Sequence, residues 1–322
     1  MDNFRERKIL YLTGGLGNQL FQIAAALNVW GNKVIEIEWT LGSPRLNGNF
    51  PEIASFDLPD NLKIHKSQNK KNIVASKYFG FVLRNGFNPK KFENFFLPLK
   101  LRKIVSIIIF RLRYKKHFRI ISGNDIGYTP ITEQEENEFL IGYFQSYIYL
   151  KDNYVQKVLM NMSPKNLSQE EREYLDIAKN SQFIMIHVRL GDYLTADEFG
   201  IPSSEYYLKA LGDLKNKYPN SEVWLFSNDL AECSRRFPEL FKFKIDVLIP
   251  QNFSTAATFE IMRYGSGYIL ANSTFSWWAA ALSRISNASV IAPDPWFSNL
   301  VDPKELIPPY WTKMPSVFST LS

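Results

Sequence analysis

Residues 8–30 read KILYLTGGLGNQLFQIAAALNVW. Residues 8–13 predict a short buried strand, residues 14–18 predict a tight turn, and the Ala-, Leu- and Phe-rich residues 19–30 predict a helix. Residues 33–38 then predict a second strand. A strand, a glycine turn, a helix and a strand in this order are typical of the βαβ unit of a parallel sheet. The N-terminal part of the chain is therefore predicted to be an α/β domain.

The C-terminal half shows the same alternation of strands and helices. Polar residues 163–168, SPKNLS, predict a linker before it. The predicted strands are 183–188, 222–226, 244–248, 268–271 and 289–292, and the predicted helices are 204–217, 231–237, 254–263 and 276–284. We therefore predict two doubly wound, Rossmann-like domains, 1–162 and 163–322, the second with a C-terminal tail. We expect the two domains to face each other across a cleft.

Composition excludes several classes of protein. The chain has 322 residues, of which 45% are hydrophobic and 22% charged, so it can form two ordinary cores and is not predicted to be disordered. The single cysteine, Cys233, cannot form an internal disulfide and favours a reducing compartment. No export signal and no apolar run of about 18 residues is visible. We expect a cytoplasmic protein.

The formal net charge of +6 favours anionic partners. Basic residues cluster at 99–119, LKLRKIVSIIIFRLRYKKHFR, where they alternate with apolar residues at helical spacing. One hypothesis is a helix that lies on an anionic membrane, at the inner face of the plasma membrane. The other is an amphipathic helix that packs on its own domain and leaves a basic face in solvent. No nucleic-acid motif is present, so we expect no nucleic-acid partner.

Ligands of parallel sheets bind beyond the carboxyl ends of the strands, so the residues after each strand are site candidates. After the first predicted strand, the turn that contains Gly15 and Gly17 exposes backbone N–H groups at a helix N-terminus, which favours a phosphate. The turn matches neither the dinucleotide nor the Walker pattern. Asn18 and Gln19 can bind a sugar or phosphate there, or can only cap the helix.

The strand 183–188 is followed by the strongest cluster of polar residues in the sequence, HVRLGDY at 187–193. Alternation along an extended chain places His187 and Arg189 on the same side. Arginine presents a planar fork of N–H donors that suits a diphosphate. The alternative is a salt bridge between Arg189 and Asp192 that only holds the loop.

Two further strand exits carry polar residues. Asp229, which follows Ser227, can accept hydrogen bonds from guanine or ribose, or can cap a helix. Residues 271–278, ANSTFSWW, place hydroxyl and N–H groups before a helix and predict a second phosphate site. The alternative for them is ordinary capping, and Trp278 is predicted to lie in the core in either case.

No set of potential metal ligands has the spacing of a metal site. The nearest pair is Glu36 and Glu38, but Glu36 falls inside a predicted strand, where a place on the sheet surface is favoured. We therefore expect a metal-free phosphate site that uses Arg189.

Four segments of the chain resemble a known family when they are taken in order. They are GGLGNQLFQ (14–22), GYFQS (142–146), HVRLGDY (187–193) and NSTFSWW (272–278). Together they are similar to glycosyltransferase family 11, the bacterial α-1,2-fucosyltransferases, over about residues 8–300. The resemblance implies a GT-B fold, GDP-β-L-fucose as donor, inversion at the anomeric carbon and no metal. It implies the 2-hydroxyl of a galactoside as acceptor, often within an O-antigen or capsule unit.

The resemblance also implies roles for individual residues. The N-terminal domain would be on the acceptor side and the C-terminal domain would bind the GDP-sugar. Arg189 would bind the donor phosphates with His187 beside it, and Thr274, Phe275 and Ser276 would form the opposing wall. Asp229 would hold the nucleoside, and Asn18 would reach the sugar or phosphate. With the other strand-exit residues, the predicted donor-binding residues are Gly15, Gly17, Asn18, Gln19, Arg189, Ser227, Asp229, Ser273, Thr274, Phe275 and Ser276. The family commonly has a second arginine where this chain has Leu190, and an aspartate where it has Asn228. Neutralisation of the diphosphate therefore depends more heavily on Arg189.

Glycosyl transfer needs two kinds of group. The departing diphosphate needs positive charge, which Arg189 and helix N-termini supply, and the acceptor hydroxyl needs a base. Candidates for the base are Asp192, Asp197, Glu198 and His187. Related fucosyltransferase families carry an acidic residue several positions after the His-x-Arg motif, which favours Asp197, while others have no evident base. The predicted catalytic residues are thus His187, Arg189, Asp192 and Asp197.

A second hypothesis is a catalytically silent protein that binds a GDP-sugar or a glycan on the same scaffold, because Leu190 and the open choice of base leave room for it. Under the enzymatic hypothesis, the partners are GDP-fucose and a galactose-terminated oligosaccharide. A lipid-linked oligosaccharide would suit a protein that binds a membrane surface.

Overall fold

The computed structural model describes residues 7–39, 44–64, 119–122, 126–135, 137–195, 199–243 and 245–318. The chain forms two compact units, Met1–Met162 and Ser163–Ser322, which we call unit 1 and unit 2. The division falls where the sequence predicts the start of a linker. Each unit is built on one fully parallel sheet.

Unit 1 has a five-stranded sheet in the order β5-β2-β1-β7-β6. Its strands are β1 (Arg7–Tyr11), β2 (Ile35–Glu38), β5 (Leu62–Ile64), β6 (Arg119–Ser122) and β7 (Asn137–Ile141), and a separate hairpin consists of β3 (Leu46–Asn47) and β4 (Phe50–Pro51). Within the described residues of this unit, the α-helices are α1 (Leu16–Trp30) and α2 (Asn153–Met160), and the 3-10 helices are Glu52–Ser55 and Tyr147–Lys151.

Helix α1 forms because its residues are strong helix formers and nearly all of its surface is buried. Leu20, Phe21 and Ile23 are fully buried, and the helix packs on β1 and α2. It ends at Gly31, which has a φ of +57° and donates its N–H to the Leu27 carbonyl. A positive φ favours glycine, so this residue ends the helix at low cost.

Unit 2 has a six-stranded sheet in the order β10-β9-β8-β11-β12-β13. Its strands are β8 (Phe183–Val188), β9 (Glu222–Ser227), β10 (Val247–Leu248), β11 (Gly267–Ile269), β12 (Ser289–Asp294) and β13 (Thr312–Pro315). Its α-helices are α3 (Gln169–Asn180), α4 (Ser204–Lys217), α5 (Leu230–Arg236), α6 (Pro238–Lys242), α7 (Thr255–Met262) and α8 (Thr274–Ala281), and Gly191–Thr195 is a 3-10 helix.

Strand β8 is buried along its whole length and covered on both faces. Ile184, Ile186 and Val188 belong to the hydrophobic cluster that also contains residues of α4. On the opposite face, the His187 ring lies 6.0 Å from the ring of Phe275 on α8. A strand that is buried on both faces is typical of a doubly wound sheet, and this explains the unbroken apolar sequence before His187.

The strand orders fix where ligands are expected to bind. In unit 2, the strands that follow β8 in sequence lie first on one side of it and then on the other, so the order reverses between β8 and β11. In unit 1, the order reverses in the same way between β1 and β7. Ligands of open α/β sheets bind beyond the carboxyl ends of the strands at such reversals, which we call switch points.

The predicted α/β class with doubly wound parallel sheets, the class of GT-B proteins, is confirmed. The predicted helix at 204–217 has the observed bounds of α4. The prediction of five strands in the second domain was wrong, because β13 also pairs with β12; its sequence, TKMP, lacks an apolar pattern. Of the basic segment 99–119, only Arg119 lies within the described residues.

Candidate functional site

The exits of β8, β9 and β11 are tied together at the switch point of unit 2. The Tyr193 hydroxyl donates to the Asn272 carbonyl over 3.2 Å, and the Leu190 N–H donates to Asn228 Oδ1 over 2.8 Å. Gly191 has a φ of +65°, and a Cβ there would lie 2.5 Å from Asn228 Nδ2. The turn after β8 therefore requires glycine and holds Arg189 at this edge of the sheet.

Arg189 presents a largely buried guanidinium at this switch point. Its Nη2 donates to Asp192 Oδ1 over 2.6 Å, and the guanidinium lies 5.6 Å from the centre of the Tyr193 ring. The side chain is 15% exposed. The salt bridge with Asp192 that the sequence suggested as an alternative is thus present. It uses one donor, and the other N–H groups of Arg189 have no acceptor among the described residues. They remain available to an anion.

His187 is buried beneath Arg189 on β8. Its Nδ1 has no hydrogen-bond partner in the described part of the chain. Burial, and secondarily the positive charge of Arg189, lowers the pKa of His187 from 6.5 to about 3. A general base works best with a pKa near the operating pH, so His187 does not fit that role. The imidazole packs against Phe275, which also counts against a base role, and the catalytic assignment of His187 stays a prediction.

Helix α8 begins at the other side of the switch point with a neutral cap. The Ser273 hydroxyl accepts from the Phe275 N–H over a long 3.4 Å, and the Ser276 hydroxyl donates to the Ser273 carbonyl. The N–H groups of Thr274 and Ser276 have no intrahelical acceptor because they lie in the first turn. Within the described ranges they have no other partner, so this helix end can accept an anion. Trp278 is fully buried, as expected.

The predicted nucleoside residues lie at the exit of β9. Asp229 Oδ1 caps α5 by accepting from the Glu232 N–H over 2.9 Å, and the Ser227 hydroxyl forms hydrogen bonds with the Asp229 backbone. The capping role considered from the sequence is therefore present. The other carboxylate oxygen of Asp229 has no partner among the described residues, which leaves one acceptor for a ligand.

The glycine turn of unit 1 differs from the prediction. Leu16 N–H, at the start of α1, donates over 2.6 Å to Glu52 Oε2, and Glu52 is only 5% exposed. The Gln19 amide donates to the carbonyls of Gly14 and Arg45 and accepts from the Ile53 N–H. A phosphate is not needed at a helix end where the protein's own carboxylate is bound.

These contacts count against donor binding by three predicted residues of unit 1, whose assignment stays a prediction. Gly15 directly precedes Leu16, whose N–H donates to Glu52, and Gly17 is buried. The Gln19 side chain is fully buried and forms hydrogen bonds with backbone groups. In the structure these residues build the turn before α1 and its first turn. Asn18 is different, because it is partly exposed at the switch point of unit 1.

Asn18 pairs with a residue that follows β7. Gln145 Nε2 donates to Asn18 Oδ1 over 3.1 Å, which joins the exits of the two strands on either side of the switch point. Gln145 is 7% exposed and its Oε1 has no partner in the described part of the chain. The preceding residue, Phe144, has a φ of +54° and a buried ring.

The remaining candidates are carboxyl groups. Asp192 is 55% exposed, with Oδ1 bound to Arg189. Asp197 and Glu198 lie outside the described residues. Glu36 lies on the sheet surface, where Arg7 donates to it. Within the described part of the chain, no three His, Cys, Asp or Glu side chains are placed to hold a metal ion.

Comparison with known families agrees with the motifs at the strand exits. The family model "Glycosyl transferase family 11" matches residues 10–305. The chain belongs to glycosyltransferase family 11. The resemblance drawn from the sequence is thereby confirmed, and glycosyl transfer is the activity class of the chain. The family match spans both switch points.

Two curated proteins of Escherichia coli are similar over nearly their full length. An alpha-1,2-colitosyltransferase is 26% identical and covers 94% of this chain and 97% of its own. The O-antigen biosynthesis glycosyltransferase WbnK is 25% identical and covers 89% of this chain and 94% of its own. Among solved structures, fucosyltransferase NodZ from Bradyrhizobium is 12% identical with a TM-score of 0.49, covering 87% of this chain and 94% of that one.

Sequence reasoning missed three residues that shape these sites of the family 11 chain. Glu52 follows a hairpin in a region without a clear pattern, so no signal marked it. Gln145 lies in the segment GYFQS, which the family resemblance quoted without assigning a role. Asn228 was recognised only as a departure from the family, whereas the structure shows that it holds the turn after β8.

Proposed function

We propose that the chain transfers L-fucose from GDP-β-L-fucose to the 2-hydroxyl of a galactoside, with inversion and without a metal ion. The observation that carries this proposal is the arrangement at the switch point of unit 2. There Arg189 has donors without acceptors, and the first turn of α8 has N–H groups without acceptors. Both favour a diphosphate, and family 11 membership supports sugar transfer.

Each group has a role in the proposed reaction. The acceptor oxygen attacks the anomeric carbon, the bond from that carbon to the diphosphate breaks, and the electron pair passes to the leaving oxygen. Arg189 and the N–H groups of Thr274 and Ser276 stabilise the negative charge that develops on that oxygen. The free carboxylate oxygen of Asp229 accepts a hydrogen bond from the nucleoside.

The proton of the acceptor hydroxyl needs a carboxylate base, for which Asp192 and Asp197 are the proposed candidates. Asp192 is exposed, although one of its oxygens already accepts from Arg189. The variants Asp192→Asn and Asp197→Asn separate the two. The variant that removes the base should show a large fall in kcat. In Asp197→Asn the affinity for GDP should stay within about twofold, because a base acts on the acceptor rather than on the nucleotide. Asp192→Asn also removes the charge that pairs with Arg189, so its GDP affinity is measured beside its kcat.

The test is incubation of the purified protein with GDP-fucose and lactose, in EDTA and in added magnesium. We expect GDP release and a fucosylated product linked to O2 of galactose, at equal rates in the two buffers. Thermal stabilisation by GDP-fucose without any GDP release, across a panel of galactosides, would instead support a silent binding protein. Turnover that EDTA abolishes would contradict the metal-free proposal.

A second donor is favoured by one specific observation, the similarity to an alpha-1,2-colitosyltransferase over 94% of the chain. Under this alternative, the same site transfers a colitosyl group in place of L-fucose. Competition between nucleotide-activated colitose and GDP-fucose in a single reaction distinguishes the two donors by product mass.

The membrane hypothesis for residues 99–119 stays a prediction, because the segment lies outside the described residues apart from its last one. None of the helices in the described ranges has the length and apolar character that crossing a bilayer requires. We propose that the segment binds anionic lipid surfaces and brings the enzyme to a lipid-linked acceptor. Sedimentation with anionic and neutral vesicles tests this, and equal pelleting with both would contradict it.

A further inference from the structure

We propose that Gln145 is a positioning residue that fixes the side-chain amide of Asn18, so that Asn18 Nδ2 donates a hydrogen bond to a substrate oxygen at the switch point of unit 1. This inference rests on the proposed function for its catalytic consequence. Its structural part, the direction of one hydrogen bond, can be tested without any activity.

The location is the first argument. Asn18 lies in α1 just after the turn that follows β1, and Gln145 follows β7. These strands are neighbours in the sheet although they are more than a hundred positions apart in sequence. The hydrogen bond between the two amides therefore spans the switch point, where ligands of parallel sheets bind.

The Asn18 amide is held on two sides. Gln145 Nε2 donates to its Oδ1 over 3.1 Å. On the other side lies Gly14, with a φ of +75°, where a Cβ would approach Asn18 Nδ2 to 2.5 Å. Glycine at position 14 thus makes room for the amide. Nδ2 has no acceptor among the described residues, and Asn18 is partly exposed, so this donor is available to a ligand.

Gln145 is itself fixed by its backbone. Its N–H donates to the Ile126 carbonyl over 2.7 Å, and Ser146 caps the 3-10 helix that follows. Phe144 holds a φ of +54°, a conformation that is unfavourable for a bulky residue and that tends to cluster at functional sites. This unfavourable conformation occurs directly before Gln145, whose side-chain amide contacts Asn18.

The burial of Gln145 argues against a role in packing alone. It is 7% exposed, yet its Oε1 has no partner in the described part of the chain. Burying an unpaired amide oxygen is unfavourable, and an apolar side chain of similar size would avoid it. Gln22, by contrast, is buried with both ends of its amide paired, to the Thr13 N–H and the Gly142 carbonyl. Gln145 keeps only the bond that orients Asn18.

The chemistry offered is that of a neutral N–H donor. It suits a hydroxyl or ring oxygen of a sugar, or an oxygen of the donor phosphates. Measurement of KM for each substrate separately distinguishes these sources. If only the KM for the galactoside rises when Asn18 Nδ2 is lost, the N–H group binds the acceptor glycan. If only the KM for GDP-fucose rises, it binds the nucleotide sugar.

The kinetic experiment compares Gln145→Glu with the wild-type protein. A carboxylate has the same shape but cannot donate, so Asn18 must turn its own N–H toward position 145 and present an oxygen to the substrate. We expect kcat/KM to fall about 10- to 100-fold, which corresponds to about 1.4–2.8 kcal/mol of lost hydrogen bonding. A buried carboxylate is costly, so we also expect the thermal midpoint to fall, and the kinetics are measured well below it. Gln156→Glu, at a residue of the same unit that donates to the Leu150 carbonyl, is the matched control and should keep wild-type kinetics.

A double-mutant cycle then separates positioning from general damage. If Gln145 acts through Asn18, Gln145→Glu should cost little more activity in an Asn18→Ala background. Independent losses that multiply in the double variant would overturn the proposal. So would a Gln145→Glu variant with near wild-type kcat/KM, because that result means Asn18 is the donor within the pair.

Side-chain amide NMR tests the pair even if no fucosyl transfer is found. With the Gln145 and Asn18 amide signals assigned by substitution, we expect the Gln145 protons to be protected from solvent exchange and the Asn18 protons to exchange rapidly. Protected Asn18 protons, or Gln145 signals that do not move in Asn18→Ala, would contradict the proposal. Failure of sugar transfer with the expected NMR result would count against the proposed function alone.

Discussion

The two helix N-termini that the sequence marks as anion sites differ in what already binds there. At α1 of unit 1, the first-turn N–H of Leu16 is bound by the buried carboxylate of Glu52. At α8 of unit 2, the cap is the neutral hydroxyl of Ser273, and Arg189 is held at the exit of the neighbouring strand. A helix end that carries its own carboxylate repels a phosphate, whereas one capped by a hydroxyl beside an arginine attracts it. The difference supports our proposal that the diphosphate binds at unit 2 and that unit 1 offers neutral hydrogen bonds.

The largest expected effect concerns the arginine of unit 2. Arg189→Ala should lower turnover by about 10²–10³-fold, the usual loss when one donor to the developing charge is removed. Steady-state kinetics with GDP-fucose and lactose measure this. Arg235→Ala is the matched control, since Arg235 also pairs with an acidic residue three positions away but is 69% exposed on α5. Near-normal turnover in Arg189→Ala would give that side chain a structural role only.

The next effect concerns the carboxylate of unit 1. Glu52→Ala should lower the free energy of unfolding by about 1–3 kcal/mol, because it leaves the buried Leu16 N–H without an acceptor. Urea denaturation measures the change. Glu52→Gln keeps an acceptor and should lose less. If both variants were as stable as the wild type, Glu52 would not be the anion that α1 requires.

The pH dependence of unit 2 gives an effect of similar or smaller size. The unfolded chain protonates His187 below about pH 6.5, but the folded protein does so only near pH 3, so stability falls as the pH drops through this window. Between pH 7 and pH 5, the wild type should lose about 2 kcal/mol more than His187→Phe. His65 and His117 are present in both proteins, so their contributions cancel. Parallel stability curves for the two proteins would show that His187 has an ordinary pKa.

The smallest effect distinguishes two serine caps. Ser273→Ala and Ser254→Ala each remove a hydroxyl that caps a helix of unit 2, and each should cost about 1 kcal/mol of unfolding free energy. Only Ser273 lies at the switch point, so only its variant should raise the KM for GDP-fucose. Equal KM values for GDP-fucose in both variants would show that the start of α8 does not bind the sugar donor.

Much of the fold follows from local sequence. The apolar run 183–188 and the helix pattern at 204–217 predict their elements within a residue, because burial on both faces of a central strand and on one face of a helix imposes those patterns. The sequence predicts the start of α8 at residue 276, but the helix begins two residues earlier, at Thr274. The N-cap residue Ser273 decides this start, and the apolar pattern does not mark it.

The site was predictable only in its strand-exit residues. Arg189, Asp192 and Asp229 stand directly after apolar runs, and their contacts are local, so the sequence could propose both the functional and the capping roles. The contacts that decide between roles are not local. Glu52 reaches α1 from 36 positions away and Gln145 reaches Asn18 from 127 positions away, and no periodicity in one sequence reports such pairs.

The most direct test of the central claim is calorimetric titration of GDP, in EDTA, into the wild type, Arg189→Ala and Glu52→Gln. We predict that Kd rises about 10- to 100-fold in Arg189→Ala, since hydrogen bonds to a charged group are lost, and that Glu52→Gln binds as the wild type does. Unchanged affinity in Arg189→Ala, or tighter binding once the carboxylate at α1 is neutralised, would place the diphosphate on unit 1 and contradict the account.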